Sequence, residues 1–203
     1  MGPETDNFPF IKARFFRPFT AGQRPVRLIV IHTIEVPERD GIAKDIANDF
    51  ANRPETNQAS AHLCIDNKEI FQSVKDNDIA FAAPGANQDG IHLELAARAA
   101  QTAGDWQDAY STAVLENAAN VAAQYCLKYE IPVQHLTNAE LADLKTKGLV
   151  GHVQVTDVFK KSDHRDPGAA FPWDSFLERV EFFRTERMNQ LNSSGAGASS
   201  GGV

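Results

Sequence analysis

The sequence predicts a single α/β domain in which a central mixed β-sheet is flanked by helices. Three observations carry that prediction. Arg27-Leu-Ile-Val-Ile-His32 is a short, continuous, β-branched apolar run and reads as a central strand. Ile91-His92-Leu93-Glu94-Leu95 alternates, which places His92 and Glu94 on one face and the aliphatics on the other. Segments with apolar residues at helical spacing are interleaved with these strands.

Residues 1–26 are irregular, with Phe8, Phe10, Phe15, Phe16 and Phe19 among Pro9, Pro18 and Pro25. Aromatics this dense without a period suit an arm wrapped onto the core. Asp40 to Phe50 has apolar residues at 42, 43, 46, 47 and 50, a helix with Asp40 as its N-cap. Ser60–Asp66 and Glu69–Val74 read as a hairpin turning at Asp66-Asn67-Lys68, and 84–90 as a loop. Asp108 to Tyr129 is a long helix burying Val114, Ala118, Val121, Ala122 and Tyr125. Leu149–Val155 is strand-like and carries His152. Trp173–Arg184 closes the domain as a helix that buries Phe176, Leu177, Val180 and Phe183. The domain proper is assigned to 27–188, and 189–203 to a Ser/Gly/Ala-rich flexible tail or truncated linker.

A net charge of −7 argues against a general nucleic-acid binder. It also offers no attraction to an anionic membrane or cell wall, so a target of that kind must be held by a shaped groove. No apolar stretch reaches bilayer-spanning length. The start, Met-Gly-Pro-Glu, has neither the layout of a secretory signal nor a persuasive acylation site, so synthesis in the cytoplasm is expected. The two cysteines, Cys64 and Cys126, read as buried free thiols, a single bridge being the minority reading.

The histidines are His32, His62, His92, His135, His152 and His164. His135, before a helix, reads as structural. His32 and His152 each lie in strand-like runs, where side chains converge in α/β sites. Asp166, braced by Pro167-Gly168, adds a carboxylate, with Asp163 as its local competitor. Two imidazoles and one carboxylate, with a fourth position for water, meet the needs of a catalytic zinc site. On these residues alone, two capped loop imidazoles are an even alternative.

Ile-Val-Ile-His (29–32), Ser-Ala-His-Leu-Cys-Ile-Asp (60–66), Ala-Pro-Gly-Ala-Asn (83–87), Gly-Ile-His-Leu-Glu-Leu (90–95), Gly-His-Val (151–153) and Asp-Pro-Gly with Phe-Pro-Trp (166–173) follow in order. Together, from about Arg27 to Val180, they resemble the zinc-dependent N-acetylmuramoyl-L-alanine amidases. That type-2 amidase family includes phage lysins and peptidoglycan recognition proteins. The resemblance implies that His32, His152 and Asp166 ligate Zn²⁺, with Asp166 preferred to Asp163 because it abuts Pro-Gly. It implies that Glu94 orients or deprotonates water, where the bland reading is a surface carboxylate. His164 stands where relatives often carry Lys and would stabilise the oxyanion. Asn87 and His62 are candidate substrate contacts, with packing beneath the sheet an equal alternative for His62. Arg165 reads as a solvated charge. Thr33, Phe81-Ala82 and Ala61 depart from the family pattern and remove groups that could orient substrate.

The activity so implied is hydrolysis of the amide between N-acetylmuramic acid and L-alanine in bacterial peptidoglycan, by a phage or prophage endolysin acting on the cell wall. Neither nucleic acid nor membrane insertion is expected. The alternative is a muropeptide-recognition module that does not cut. A more distant one is a structural domain in which zinc only stabilises the fold.

Overall fold

The computed structural model describes residues 7–197, with side chains through 193. Expectations for residues 1–6 and for 198–203 of the tail lie outside the described residues. In chain order the elements are β1 (Phe16–Arg17), β2 (Leu28–Thr33), α1 (Ile42–Asn52), β3 (Leu63–Ile65), β4 (Ile70–Gln72), β5 (Ile79–Ala80) and β6 (Gly90–Leu95). A 3₁₀ turn at Asp105–Gln107 leads to α2 (Ala109–Tyr129), α3 (Asn138–Ala142), β7 (Gly148–Gly151), α4 (His152–Phe159) and α5 (Trp173–Gly197).

The main sheet has the order β4-β3-β6-β2-β7. β2 runs parallel to β6 and β7, β6 parallel to β3, and the β3–β4 hairpin is antiparallel. This is the mixed sheet that the sequence predicts. Its strands are apolar on both faces because both are covered. Ile29, Ile31, Leu93 and Leu149 pack under α2 and α5, while Leu28, Val30 and Val150 pack with Leu141 of α3 and Val155 of α4. Cys64 and Phe71 meet Ile42, Ile46 and Phe50 of α1. Each such aliphatic side chain contributes roughly 1.5–3 kcal/mol by leaving water.

The predicted stripe of α2 is buried in full, and Asp108 caps that helix by accepting from the Ser111 N–H at 2.7 Å. Residues 8–13 pack against the sheet. Pro9, Ile11 and Ala13 exchange backbone hydrogen bonds with Gln72 and Ser73 beside β4, and Phe8 lies against the core. Both cysteines are buried and free. Among the described residues no helix is long and apolar enough to cross a membrane.

Three local expectations are corrected. Asp40 is not the cap of α1: its carboxylate is taken by Lys68 and Asn67, Gly41 occupies the cap position, and Asp66 reaches in to accept the Ala43 N–H at 2.9 Å. The strand read over 149–155 ends at Gly151, and His152 opens a helix. There the Gln154 side chain folds back to accept the Gly151 N–H, a local closure that an apolar run this short does not signal. The closing helix runs on to Gly197 rather than stopping at Arg184, so the first part of the expected tail is helical, with Leu191 half exposed.

Candidate metal centre and active site

Three adjacent parallel strands bring the chemistry to one edge of the sheet, beyond their C-terminal ends. In the β2–β6 register His32 stands directly beside Glu94, and Ile31 pairs with Gly151, so the residue after that strand, His152, arrives on the other side of His32. The fourth group comes from the loop before α5. Asp166 is tied there by its own carbonyl, which accepts the Val153 N–H at 2.8 Å. Pro167 packs onto Gly151, where a Cβ would come within 2.6 Å of its ring.

His32 Nδ1 lies 3.1 Å from Asp166 Oδ2, and His152 Nδ1 lies 3.3 Å from Asp166 Oδ1. All three residues are buried, and their donor atoms fall within 4.8 Å of one another. Bonds of about 2.0–2.1 Å to a tetrahedral ion set its donors about 3.3 Å apart, so this spacing fits such an ion. Two imidazole nitrogens and one carboxylate oxygen leave a fourth position open to the cleft. Asp163, the competitor, is exposed, whereas Asp166 is only 6% exposed.

The electrostatics suit cation binding. Burial alone would raise the Asp166 carboxyl, but hydrogen bonds from His152 and His32 hold it well below the usual carboxylate range. Burial pushes His152 down, keeping its imidazole neutral and able to give a lone pair. Glu94 shows the reverse. Burial first, and Asp166 second, push its carboxyl well above the ordinary value. It is 8% exposed, lines the cleft, and among the described residues accepts no hydrogen bond. A cation beside it would draw that value back down.

His164 stacks on His152, with ring centroids 4.3 Å apart, and its Nδ1 stands 3.5 Å from Asp166 Oδ1. Its side chain is 60% exposed at the cleft rim. Arg165 pairs with Asp157 at 2.8 Å. Two expected substrate contacts are placed differently. His62 is fully buried and does not reach the cleft: its Nδ1 accepts the His92 N–H at 3.1 Å, and its Nε2 faces the Asp78 carbonyl at 3.2 Å. Burial, and then Arg24, push it down to about 3, so it stays neutral. Asn87 spends its side-chain oxygen on the Ala82 and Ala83 N–H groups, shaping the 81–83 segment rather than facing the cleft. His135 is structural as expected, stacked on Trp173 at 3.7 Å and bonded to Gln154.

The cleft over the cluster encloses about 460 Å³. Phe50 and Arg53 at the end of α1 form one wall, and Glu35, Phe81 and Ala82 contribute to the rim. Sequence reasoning missed Arg53 and Glu35, which nothing in their local pattern marks. It also left His92 without a role, although the alternation of β6 puts it on the Glu94 face. The structure shows His92 bonded to His32 at 3.0 Å.

Fold and site together define an α/β domain with a buried His-His-Asp cluster at the edge of its sheet. Residues 22–169 match the Amidase_2 family model, N-acetylmuramoyl-L-alanine amidase, and the chain belongs to that family. Its fold is similar to that of Staphylococcus aureus hydrolase AmiA in complex with its ligand (TM-score 0.67, 17% identity, covering 92% of this chain and 87% of that one). It is also similar to the amidase LysC from Clostridium intestinale URNW (TM-score 0.56, 16% identity, 87% and 99% covered). The catalytic domain of XlyA is a third such structure (TM-score 0.53, 17% identity, 86% and 99% covered). No curated protein matches the chain.

Proposed function

We propose that the protein is a zinc-dependent amidase. It would hydrolyse the amide between the lactyl group of N-acetylmuramic acid and L-alanine in bacterial peptidoglycan, acting on the cell wall as a phage or prophage endolysin. The observation that carries this reading is the meeting of His32, His152 and Asp166, their donor atoms within 4.8 Å of one another, beside an open cleft. Bound there, zinc supplies the Lewis acidity that polarises an amide carbonyl and acidifies water.

The chain's own residues do the rest. Glu94, unbonded and raised by burial, takes a proton from the attacking water and returns it to the leaving amine. His164, 60% exposed at the cleft rim, donates to the oxygen of the tetrahedral intermediate. Asn87 holds the 82–83 backbone that borders the cleft, and His62 supports the strand beneath. The catalytic unit spans 27–188, with the 1–26 arm packed against it. Family membership and similarity in fold to the amidase LysC support the assignment.

A muropeptide-binding module that does not cut is the second reading, and the intact ligand trio and free Glu94 weigh against it. The test is to replace His32 or Asp166 with Ala, then assay zinc content and the fragments released from purified sacculi by mass. Both should be lost together. Full activity in a metal-free Asp166→Ala protein overturns the assignment.

A further inference from the structure

We propose that His92 is the positioning residue of this centre: it accepts the Nε2 proton of His32 and so holds His32 with Nδ1 bare toward the metal. The inference deepens the zinc reading above and rests on it.

A neutral imidazole carries one N–H, and a ligating nitrogen must be the one without it. His32 turns Nδ1 toward Asp166, at 3.1 Å; with a cation held between them Nδ1 gives its lone pair, and the His32 proton then belongs on Nε2. The atom that meets Nε2 is His92 Nδ1, at 3.0 Å, in a fully buried contact. For that atom to accept, His92 must carry its own proton on Nε2, and this nitrogen is buried with no partner. An orphaned buried donor is costly and calls for an explanation, which the demand for an acceptor at Nδ1 provides.

The surroundings hold His92 in that pose from behind. Its backbone N–H donates to His62 Nδ1, at 3.1 Å, which requires the His62 proton to sit on Nε2, facing the Asp78 carbonyl. The two rings stack at 5.6 Å and 14°. Arg24 Nη2 stands 3.1 Å from the same His62 Nε2 and donates to the Asp76 carbonyl at 2.8 Å. On the remaining side a Cβ at Gly90 would stand 3.0 Å from His92 Nε2 and 2.7 Å from the Ala86 oxygen, so only glycine leaves the ring its place. His92 therefore acts on the metal through His32 and touches neither metal nor substrate.

The experiment compares full-length wild type, His92→Leu and His92→Asn, reading zinc Kd by chelator competition, with circular dichroism to check folding. Loss of such an outer partner weakens metal binding about 10–100-fold, and that loss is expected for Leu. Asn, whose side-chain oxygen can accept where Nδ1 did, should recover most of it. Nitrogen-15 spectra of the zinc-loaded wild type should show His92 with Nδ1 bare and Nε2 protonated. That readout decides the matter even if the Leu variant fails to fold. A folded Leu variant that binds zinc as tightly as wild type, or a proton on His92 Nδ1, overturns the proposal and leaves the zinc reading standing. Wild type that takes up no zinc overturns both.

Discussion

Gly168 and Ala99 meet so closely that a Cβ on the glycine would stand 1.9 Å from the Ala99 carbonyl oxygen. Gly168 also has φ +94°, a region that other residues enter at a cost. It lies two residues beyond Asp166, so this contact fixes the loop that delivers the carboxylate. Gly168→Ala should therefore lower the melting temperature and the zinc content together. Its cost should exceed the roughly 1–3 kcal/mol of backbone strain alone. Gly22, at φ +93° with open space around it, is the control. Equal melting temperatures for Gly22→Ala and Gly168→Ala would refute the steric account.

Glu94 and Asp166 predict opposite pH dependences for the metal-free protein. Burial raises the folded-state value of Glu94 above its unfolded value of about 4.3, so the native state binds more protons and loses stability as pH rises from there. Glu94→Gln should match wild type below about pH 4 and be the more stable at pH 7. The depressed value of Asp166 acts the other way: its contribution is present above the unfolded value of about 3.9 and is lost as pH falls. Asp166→Asn should therefore be the less stable protein at pH 7. Urea unfolding in chelator from pH 2 to 8 reads both, and a Glu94→Gln advantage that fails to grow with pH contradicts the argument.

Glu94 and His164, proposed as catalytic, should separate from the proposed ligands in their kinetics. Glu94→Gln is expected to keep zinc and lose about 10²–10⁴ in kcat. His164→Ala, removing a mostly exposed ring, should keep both zinc and melting temperature while kcat falls about 10²-fold. Muropeptide release and zinc content, measured on the same preparations, check this. Zinc lost from either variant would move that residue into the ligand set.

Arg24 is 1% exposed and donates to the carbonyls of Asp76, Gln88 and Gly90. Arg24→Met removes every one of those donors, and each buried unpaired group costs about 1–3 kcal/mol. Destabilisation of at least about 3 kcal/mol in urea unfolding is expected. A near-neutral result would mean that those carbonyls find other donors.

What was legible in the sequence depended on how local the signal was. The β2 run, the stripe of α2 and the alternation of β6 are set by hydrophobic period within one element, and each was found in place. The meeting of His32, His152 and Asp166 was legible through ordered motifs, because Asp-Pro-Gly marks one carboxylate among close neighbours. Where a partner from a distant segment decides the outcome, the reading failed. Asp40 matches the N-cap type, yet Lys68 and Asn67 claim it. His152 looked like a strand residue because the side chain that closes the helix start, Gln154, leaves no periodic trace. His62 and Asn87 have polar character suited to substrate, and backbone groups consume that capacity instead.

Asp66 has a wider reach than its place in a turn suggests. One of its oxygens binds the Lys68 and Glu69 N–H groups of its own turn, while the other grips Ala43 in the first turn of α1. The far end of that same helix presents Phe50 and Arg53 to the cleft. A rigid rod pinned at one tip transmits any slack there to the other. The shape of the cleft is thus governed partly by a carboxylate at the opposite end of the rod, and drift at Asp66 would reshape it without altering His32, His152 or Asp166.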